Sequence, residues 1–314
     1  MIYPKLIKEN GVIGITALSS GTGDDLGEVK IALNHLKEHG YKLIVTPNVY
    51  GKKIVSSDKE TRIKEFNDLL LEDIDILFNI RGGDFSFETL DGLNFSKIVE
   101  KRLLVQGFSD ITTLVYTLTT KYDLATFYGL NAKSYDDLEL AKYQLNNLEM
   151  LKGNLITQES FMDRNTLSLN GNFTSSGILI GGCLDVIRYL IGTEFDNTIN
   201  FIEKYQKYGI VWYFDIFAMN SVDTYLTLLQ MQRIGWFKYT DTIIFGSVIY
   251  PSIECEMEYA DAFKKLFHDK NIIIDANVGH VMPSFTMING SIATITYQDN
   301  KMILKQELLD ENNG

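Results

Sequence analysis

The chain is expected to fold as an α/β protein, with an N-terminal parallel-sheet domain of the Rossmann or flavodoxin type and a C-terminal β-rich α/β domain. Three observations lead there. The first half alternates short apolar runs with stretches of helical periodicity, the pattern of strands joined by crossover helices. Near 150–175 the texture changes to Asn, Ser, Thr and Gly with short alternating runs, as in NTLSLNGNFTSSGILIGG, which reads as antiparallel strand and loop. The 314 residues, 45% of them apolar, suit one large domain or two ordinary ones.

The elements follow in order. GVIGITALSS (11–20) is an apolar run bounded by Gly and Ser, a buried strand. GEVKIALNHLKEHG (27–40) spaces its apolar residues for one helical face and stops on glycine. YKLIVTPN (41–48) is a second strand, and Ser57 with Glu60 forms a capping-box pattern ahead of a helix. IDILFNI (74–80), RLLVQGF (102–108) and DLATFYG (123–129) are further strands, with helices between them. The helical stretch 134–154 closes this half. The expected division is a domain at 1–150, a linker at 151–175 and a second domain at 176–314. In the second, GIVWYFDIF (209–217), SVDTYLTLLQMQRIGWF (221–237), TIIFGSVIY (242–250), ADAFKKLFHDK (260–270), NIIIDANVGH (271–280) and GSIATITY (290–297) read as mixed α and β. In a parallel sheet ligands sit beyond the carboxyl ends of the strands. That rule selects the loops 18–24, 81–87 and 107–111.

The net charge of −12 argues against a nucleic acid polymer as partner, because phosphates need a basic footprint, and against docking on anionic lipid. The start MIYPKLIKEN holds no signal-like apolar core, and no segment approaches the roughly 20 apolar residues of a membrane span. Two cysteines, Cys183 and Cys255, make no disulfide framework. Cytoplasmic residence is the expectation.

Three motifs are set aside. HLKEH (35–39) matches a zinc-peptidase pattern, yet Ala32, Leu33 and Leu36 form the buried stripe and put both histidines on other faces, at a helix C-terminus that suits a partial positive charge. SSGTGDDLG (19–27) resembles a dinucleotide loop with its third glycine out of register, and Asp24 and Asp25 would repel a pyrophosphate. Cys183, in GGCLD, has apolar flanks and reads as a buried structural thiol. No metal and no cofactor is expected.

Gly107-Phe108-Ser109-Asp110 stands where an apolar strand turns into a helix. Ser109 is either a helix N-cap, with Asp110 suiting the dipole, or a nucleophile. A nucleophile needs a base. His268 lies in a polar helical run, whereas His280 follows NIIID and the turn-like ANVG and precedes Pro283, a place where an imidazole can be aimed. An orienting acid is available in Asp215, inside the apolar run IVWYFDIF, where a carboxylate is costly to bury unless paired. A backbone hydrogen bond at a strand end is the competing account of Asp215. Oxyanion donors are available in the Asp110 N–H and in Gly82 and Gly83 of IRGGDF, whose lack of Cβ permits close approach; a plain tight turn is their alternative.

These residues lie within a longer resemblance. ITALSSG (15–21), RGGDFSFETL (81–90), GFSDITTL (107–114), FYGLNA (127–132), GGCLDVIRYLIGT (181–193), WYFDIF (212–217), GWFKYTDTIIFG (235–246) and DANVGHVMP (275–283) occur in the order found in the LD-carboxypeptidases and microcin C immunity proteins, a serine peptidase family that the chain resembles over nearly its whole length. The resemblance implies Ser109 as nucleophile, His280 as base, Asp215 as acid and the Gly83 and Asp110 N–H groups as oxyanion donors, in a groove between the domains. Gly82, Asp84, Phe85 and Tyr128 are the implied substrate contacts, and a homodimer is the implied assembly. Two departures stand out. The family usually carries Glu where Asp215 stands, and its pattern has Arg at Ser247. DFSFE (84–88) is closer to the immunity-protein branch than to the murein branch.

The expected activity is therefore amide hydrolysis through a Ser-His-Asp triad, without metal or cofactor. A peptidyl or aminoacyl nucleotide of the microcin C type is one substrate reading, with Phe85, Phe87, Tyr128, Trp212 or Trp236 available to stack on a base. A murein tetrapeptide ending in D-Ala is the other. A catalytically inactive small-molecule binding protein and a dinucleotide oxidoreductase are the alternatives from other classes.

Overall fold

The computed structural model describes residues 1–137, 141–161, 166–250 and 256–308, so Cys255 lies outside the described residues. It divides into two compact units, Met1–Leu155 and Ile156–Gly314.

In the first unit the strands are β1 (Val12–Thr16), β2 (Lys42–Val45), β3 (Ile76–Asn79), β4 (Leu104–Gln106) and β5 (Thr126–Tyr128). They pair in the order β5-β4-β3-β1-β2, each pair parallel. Between them run α1 (Leu26–Glu38), α2 (Lys59–Leu69), α3 (Phe95–Lys101) and α4 (Thr112–Tyr122), and α5 (Ala141–Leu151) follows. This is the doubly wound order, as the alternation of patterns requires: strands covered on both faces are apolar throughout, and Ile76, Leu77 and Phe78 are wholly buried. The chain leaves β1 toward β2 on one side and returns to β3 on the other. The loops after β1 and β3 therefore diverge at a switch point, where doubly wound sheets bind ligands.

Buried polar groups fix those loops. The Asn79 side chain, at the end of β3, accepts the Leu18 N–H at 3.1 Å. The Arg62 guanidinium, 1% exposed, donates to the Leu18 carbonyl at 2.6 Å and the Phe85 carbonyl at 3.0 Å, and pairs with Glu88. One side chain of α2 thus ties both switch-point loops.

Two local expectations are corrected. The N-cap of α2 is Asp58, whose carboxylate accepts the Thr61 N–H at 2.9 Å, in place of the Ser57–Glu60 box. The neighbouring residue wins because a carboxylate is the stronger acceptor for a helix N-terminus. The stretch 151–175, expected as a linker, contributes β6 (Thr157–Glu159), β7 (Leu167–Ser168) and the start of β8 (Phe173–Cys183) to the second unit. β6 gains its hydrogen bonds from a strand near the C-terminus, Gln158 standing opposite Leu304.

The second unit continues with α6 (Leu184–Leu190), α7 (Thr198–Tyr205), β9 (Ile210–Asp215), α8 (Ser221–Arg233), β10 (Thr240–Gly246), α9 (Tyr259–Leu266), β11 (Asn271–Ala276), β12 (Met287–Asn289), β13 (Ile292–Gln298) and β14 (Lys301–Glu307). Eight strands form one mixed sheet in the order β6-β14-β13-β8-β9-β10-β11-β7. Its centre, β8-β9-β10-β11, is parallel, and the flanks are antiparallel. Trp212 and Trp236 lie wholly inside this unit, their rings stacked 5.7 Å apart, so neither is available to stack on a ligand.

Arg62→Ala leaves two carbonyl oxygens without their buried donor and is expected to cost about 3 kcal/mol of stability, read as a lowered midpoint in urea unfolding.

Candidate active site

In the first unit Ser109 follows β4 as the first residue of a 3-10 turn, Ser109–Ile111, that leads into α4. The N-cap of that turn is Phe108, in extended conformation, while Ser109 itself has a φ of +62°. A left-handed serine is not a capping serine. The conformation costs of order 1 kcal/mol and persists where surrounding contacts over-determine it. Here they do. The Ser109 N–H donates to the Tyr128 hydroxyl at 3.2 Å, and the Ser109 carbonyl accepts the Thr112 hydroxyl at 2.5 Å. Tyr128, expected as a substrate contact, is buried and acts through that hydroxyl.

Gly82 and Gly83 bring the loop after β3 against the serine. A Cβ on Gly82 would stand 2.8 Å from the Ser109 Cβ, 2.9 Å from its Oγ and 3.4 Å from the Asp110 nitrogen. Gly83 has a φ of +138°, and a Cβ there would meet the Ser19 Oγ at 2.3 Å. The paired glycines are thus required by close approach to the Ser109–Asp110 step and to the loop after β1. The Asp110 side chain is buried, and burial pushes its carboxyl up from the ordinary range, opposed by hydrogen bonds from Ser19 and Ser86. It accepts the Ser86 N–H at 2.8 Å, while the Ser86 hydroxyl donates to the Asp110 carbonyl at 2.7 Å. Asp110 therefore offers its N–H near the serine and uses its carboxylate to lock the loop. Asp84 and Phe85 are exposed at the loop's outer edge, with the Phe85 N–H on the Ser19 Oγ at 2.9 Å. Ser19, Ser86 and Arg62 did not stand out in the sequence; a serine in a loop or an arginine in a helix carries no pattern that marks it as a brace.

In the second unit Asp215 ends β9 with no exposed surface, and His280 lies in the loop after β11. The His280 Nδ1 is 2.8 Å from the Asp215 Oδ2, and the His280 backbone N–H donates to Oδ1 at 3.3 Å. The carboxylate thus accepts the backbone N–H and has the imidazole in close contact. A Cβ on Gly279, whose φ is +82°, would lie 1.9 Å from the Asp215 Cγ, so only glycine lets the loop come down onto the carboxylate.

The outer face of the imidazole is covered in part by Phe217, with ring centroids 4.3 Å apart, and Phe217 also meets Tyr250 at 5.5 Å. Phe217 and Tyr250 are 39% and 60% exposed. These two exposed rings beside the imidazole were not marked by the sequence; solvent exposure of aromatics is decided by packing. Asp185 holds the Phe217 loop, its carboxylate accepting the N–H groups of Phe217 and Ala218 at 2.9 Å and of Met219 at 3.0 Å. Cys183 is buried as expected, and burial first, then the Asp215 and Asp185 carboxylates, push its thiol well above the usual range.

The motifs set aside have structural roles. The His35 ring is 2.6 Å from the Tyr135 carbonyl, and His39 and His268 are exposed. In the loop after β1, the N–H groups of Gly21, Thr22 and Gly23 donate to the carbonyls of Lys52, Val49 and Gly51 at 2.8, 2.8 and 2.9 Å. Asp25 there pairs with Arg81 and with Lys53. Those glycines serve backbone packing. Among the described residues no helix is long and apolar enough to cross a membrane.

A doubly wound unit followed by a mixed-sheet unit is the two-domain architecture of a peptidase family, and two family models match this chain. Residues 13–129 match the model of the LD-carboxypeptidase N-terminal domain and residues 176–295 that of the LD-carboxypeptidase C-terminal domain, and the chain belongs to this family, which includes the MccF-like proteins. The microcin C7 self-immunity protein MccF of Escherichia coli is 22% identical over 311 residues, 87% of each chain. A structure of MccF in complex with glutamyl sulfamoyl guanosine superposes with a TM-score of 0.84 at 17% identity, over 98% of this chain and 99% of that one. A muramoyltetrapeptide carboxypeptidase from Oxalobacter formigenes gives a TM-score of 0.78 at 18% identity, over 94% and 98% of the two chains.

Gly279→Ala is expected to lower turnover at least about 100-fold by displacing the imidazole and to lower the melting temperature. Gly171→Ala, at a φ of +81° with nothing within 4 Å of the added carbon, leaves turnover unchanged. Steady-state assays and thermal scans of the two variants check the pair.

Proposed function

We propose that the protein is a serine-type amide hydrolase in which Ser109, His280 and Asp215 act as one triad. The observation that carries this reading is the 2.8 Å contact between the wholly buried Asp215 and the His280 Nδ1, which leaves Nε2 to act as base. The left-handed Ser109 beside two glycines supports it from the other unit.

In the proposed reaction the His280 Nε2 takes the proton of the Ser109 Oγ as that oxygen attacks the substrate carbonyl. Asp215 holds the ring by its Nδ1–H and stabilises the imidazolium. The tetrahedral oxyanion accepts hydrogen bonds from the Gly83 and Asp110 N–H groups. Collapse expels the amine, which takes the proton from the imidazolium. Water, deprotonated by His280, then cleaves the acyl-enzyme and releases the acid.

The substrate we favour is a peptidyl or aminoacyl nucleotide of the microcin C type, hydrolysed for immunity or detoxification. The likeness to MccF supports it, as does the exposed Phe217–Tyr250 pair beside the imidazole, a surface on which a planar ring can stack. The second reading, removal of the terminal D-Ala from a murein tetrapeptide, is favoured by the likeness to a muramoyltetrapeptide carboxypeptidase. Cytoplasmic residence and a homodimer belong to the same proposal; light scattering on the purified protein tests the latter.

Ser109→Ala is expected to lower turnover by about 10⁴-fold or more with folding intact, and Asp215→Asn by about 10⁴-fold. A fluorophosphonate is expected to label Ser109 in the wild type. Wild-type turnover in Ser109→Ala overturns the triad, and a folded protein without labelling or turnover points to an inactive binding protein. Parallel assays on an aminoacyl sulfamoyl nucleotide and on a murein tetrapeptide choose between the substrates.

A further inference from the structure

Cys183 takes no part in the proposed reaction, yet it stands beside it. It ends β8 in register with Asp215, which ends the neighbouring β9. Its sulfur, a carboxylate oxygen of Asp215 and a ring nitrogen of His280 all lie within 4.8 Å of one another. Cys183 and Asp215 are buried, and the His280 side chain, 15% exposed, is the part of the cluster that solvent reaches.

A thiolate, an imidazole and a carboxylate make a donor set suited to borderline-soft dications and unsuited to Mg²⁺ or Ca²⁺. Zinc binds such donors at about 2.0–2.3 Å, leaving ligand atoms of one tetrahedral site roughly 3–4 Å apart. The candidate atoms, all within 4.8 Å of one another, lie close to that span. The Asp185 carboxylate, which lies 3.8 Å from the Cys183 sulfur, adds negative charge that draws a cation in.

We propose that Cys183, Asp215 and His280 form an inhibitory site for a thiophilic divalent cation such as Zn²⁺ or Cd²⁺, with water as the fourth ligand. Binding releases one proton, from the Cys183 thiol to solvent. The cation also displaces the proton on the His280 Nδ1, which reappears on Nε2 as the other neutral tautomer. Asp215 remains a carboxylate and exchanges the ring N–H for the metal. Nε2 then carries hydrogen and has no lone pair with which to receive the proton of Ser109. The binding stands on the cluster alone; the inhibition rests on the triad reading.

The test uses the full chain with Cys255→Ser, so that Cys183 is the remaining thiol. Cadmium chloride is titrated while the ultraviolet charge-transfer absorption of a cadmium–thiolate bond is followed. One equivalent is expected to bind. Cys183→Ser is expected to abolish the absorption, and His280→Ala to weaken binding about tenfold or more, with circular dichroism confirming that both remain folded. In the same samples fluorophosphonate labelling of Ser109 is expected to slow in step with cadmium occupancy, to recover on chelation, and to be insensitive to cadmium in Cys183→Ser. Absence of the absorption, its persistence in Cys183→Ser, or unchanged affinity in His280→Ala overturns the site. Absorption with undiminished labelling overturns the inhibition. Failure of the triad shows separately, as wild-type turnover in Ser109→Ala.

Discussion

A carboxylate with no exposed surface at the end of a strand made of Ile, Val, Trp, Tyr and Phe is the constraint around which the second unit is organised. Burying such a charge without partners costs several kcal/mol, and the fold meets that cost by bringing the 277–283 loop to the acid. His280 answers it twice, through its backbone N–H and through Nδ1. Gly279 is the geometric condition for both, because any side chain there would occupy the space of the carboxylate itself. The pairing that orients the imidazole is thus also what gives the loop its place.

The first unit meets a comparable problem with neutral groups. Ser109 is held in a left-handed conformation that an isolated chain would leave. It is kept there by Tyr128 from the neighbouring strand and by Thr112 one turn on. The loop after β3 is fixed in turn by Asp110, Ser19, Ser86 and Arg62, all of them buried or nearly so. These bonds are short-reaching and mutually dependent, so the position of the hydroxyl is set by a network and not by the helix it precedes. The switch point of the parallel sheet supplies the open ground on which such a network is built.

Strand ends do the same work in both units. Cys183 and Asp215 close adjacent parallel strands, and Asp185, in the first turn of the helix that follows Cys183, gathers three consecutive N–H groups of the loop beyond Asp215. A single half-buried carboxylate therefore sets where Phe217 lies against the imidazole. Polar groups at the carboxyl edge of the sheet are shared between holding loops and shaping a surface for ligands.

Residue order by itself determined the succession of strands and helices in the first half, because periodicity is a property of near neighbours. It also marked Asp215 as an anomaly in an apolar run, His280 as a poised imidazole and Gly82–Gly83 as a place of close approach. Tertiary structure alone decided which short polar residue capped α2. It also decided that 151–175 would supply strands, since β6 finds its partner 146 positions later, Gln158 against Leu304. It made Trp212 and Trp236 core and left Phe217 and Tyr250 exposed, although all four are aromatic residues in apolar company. The reason is the same in each case: a helix or strand is chosen by contacts between residues a few positions apart, whereas caps, sheet edges, ring exposure and the reach of a short acid depend on groups brought together from distant parts of the chain.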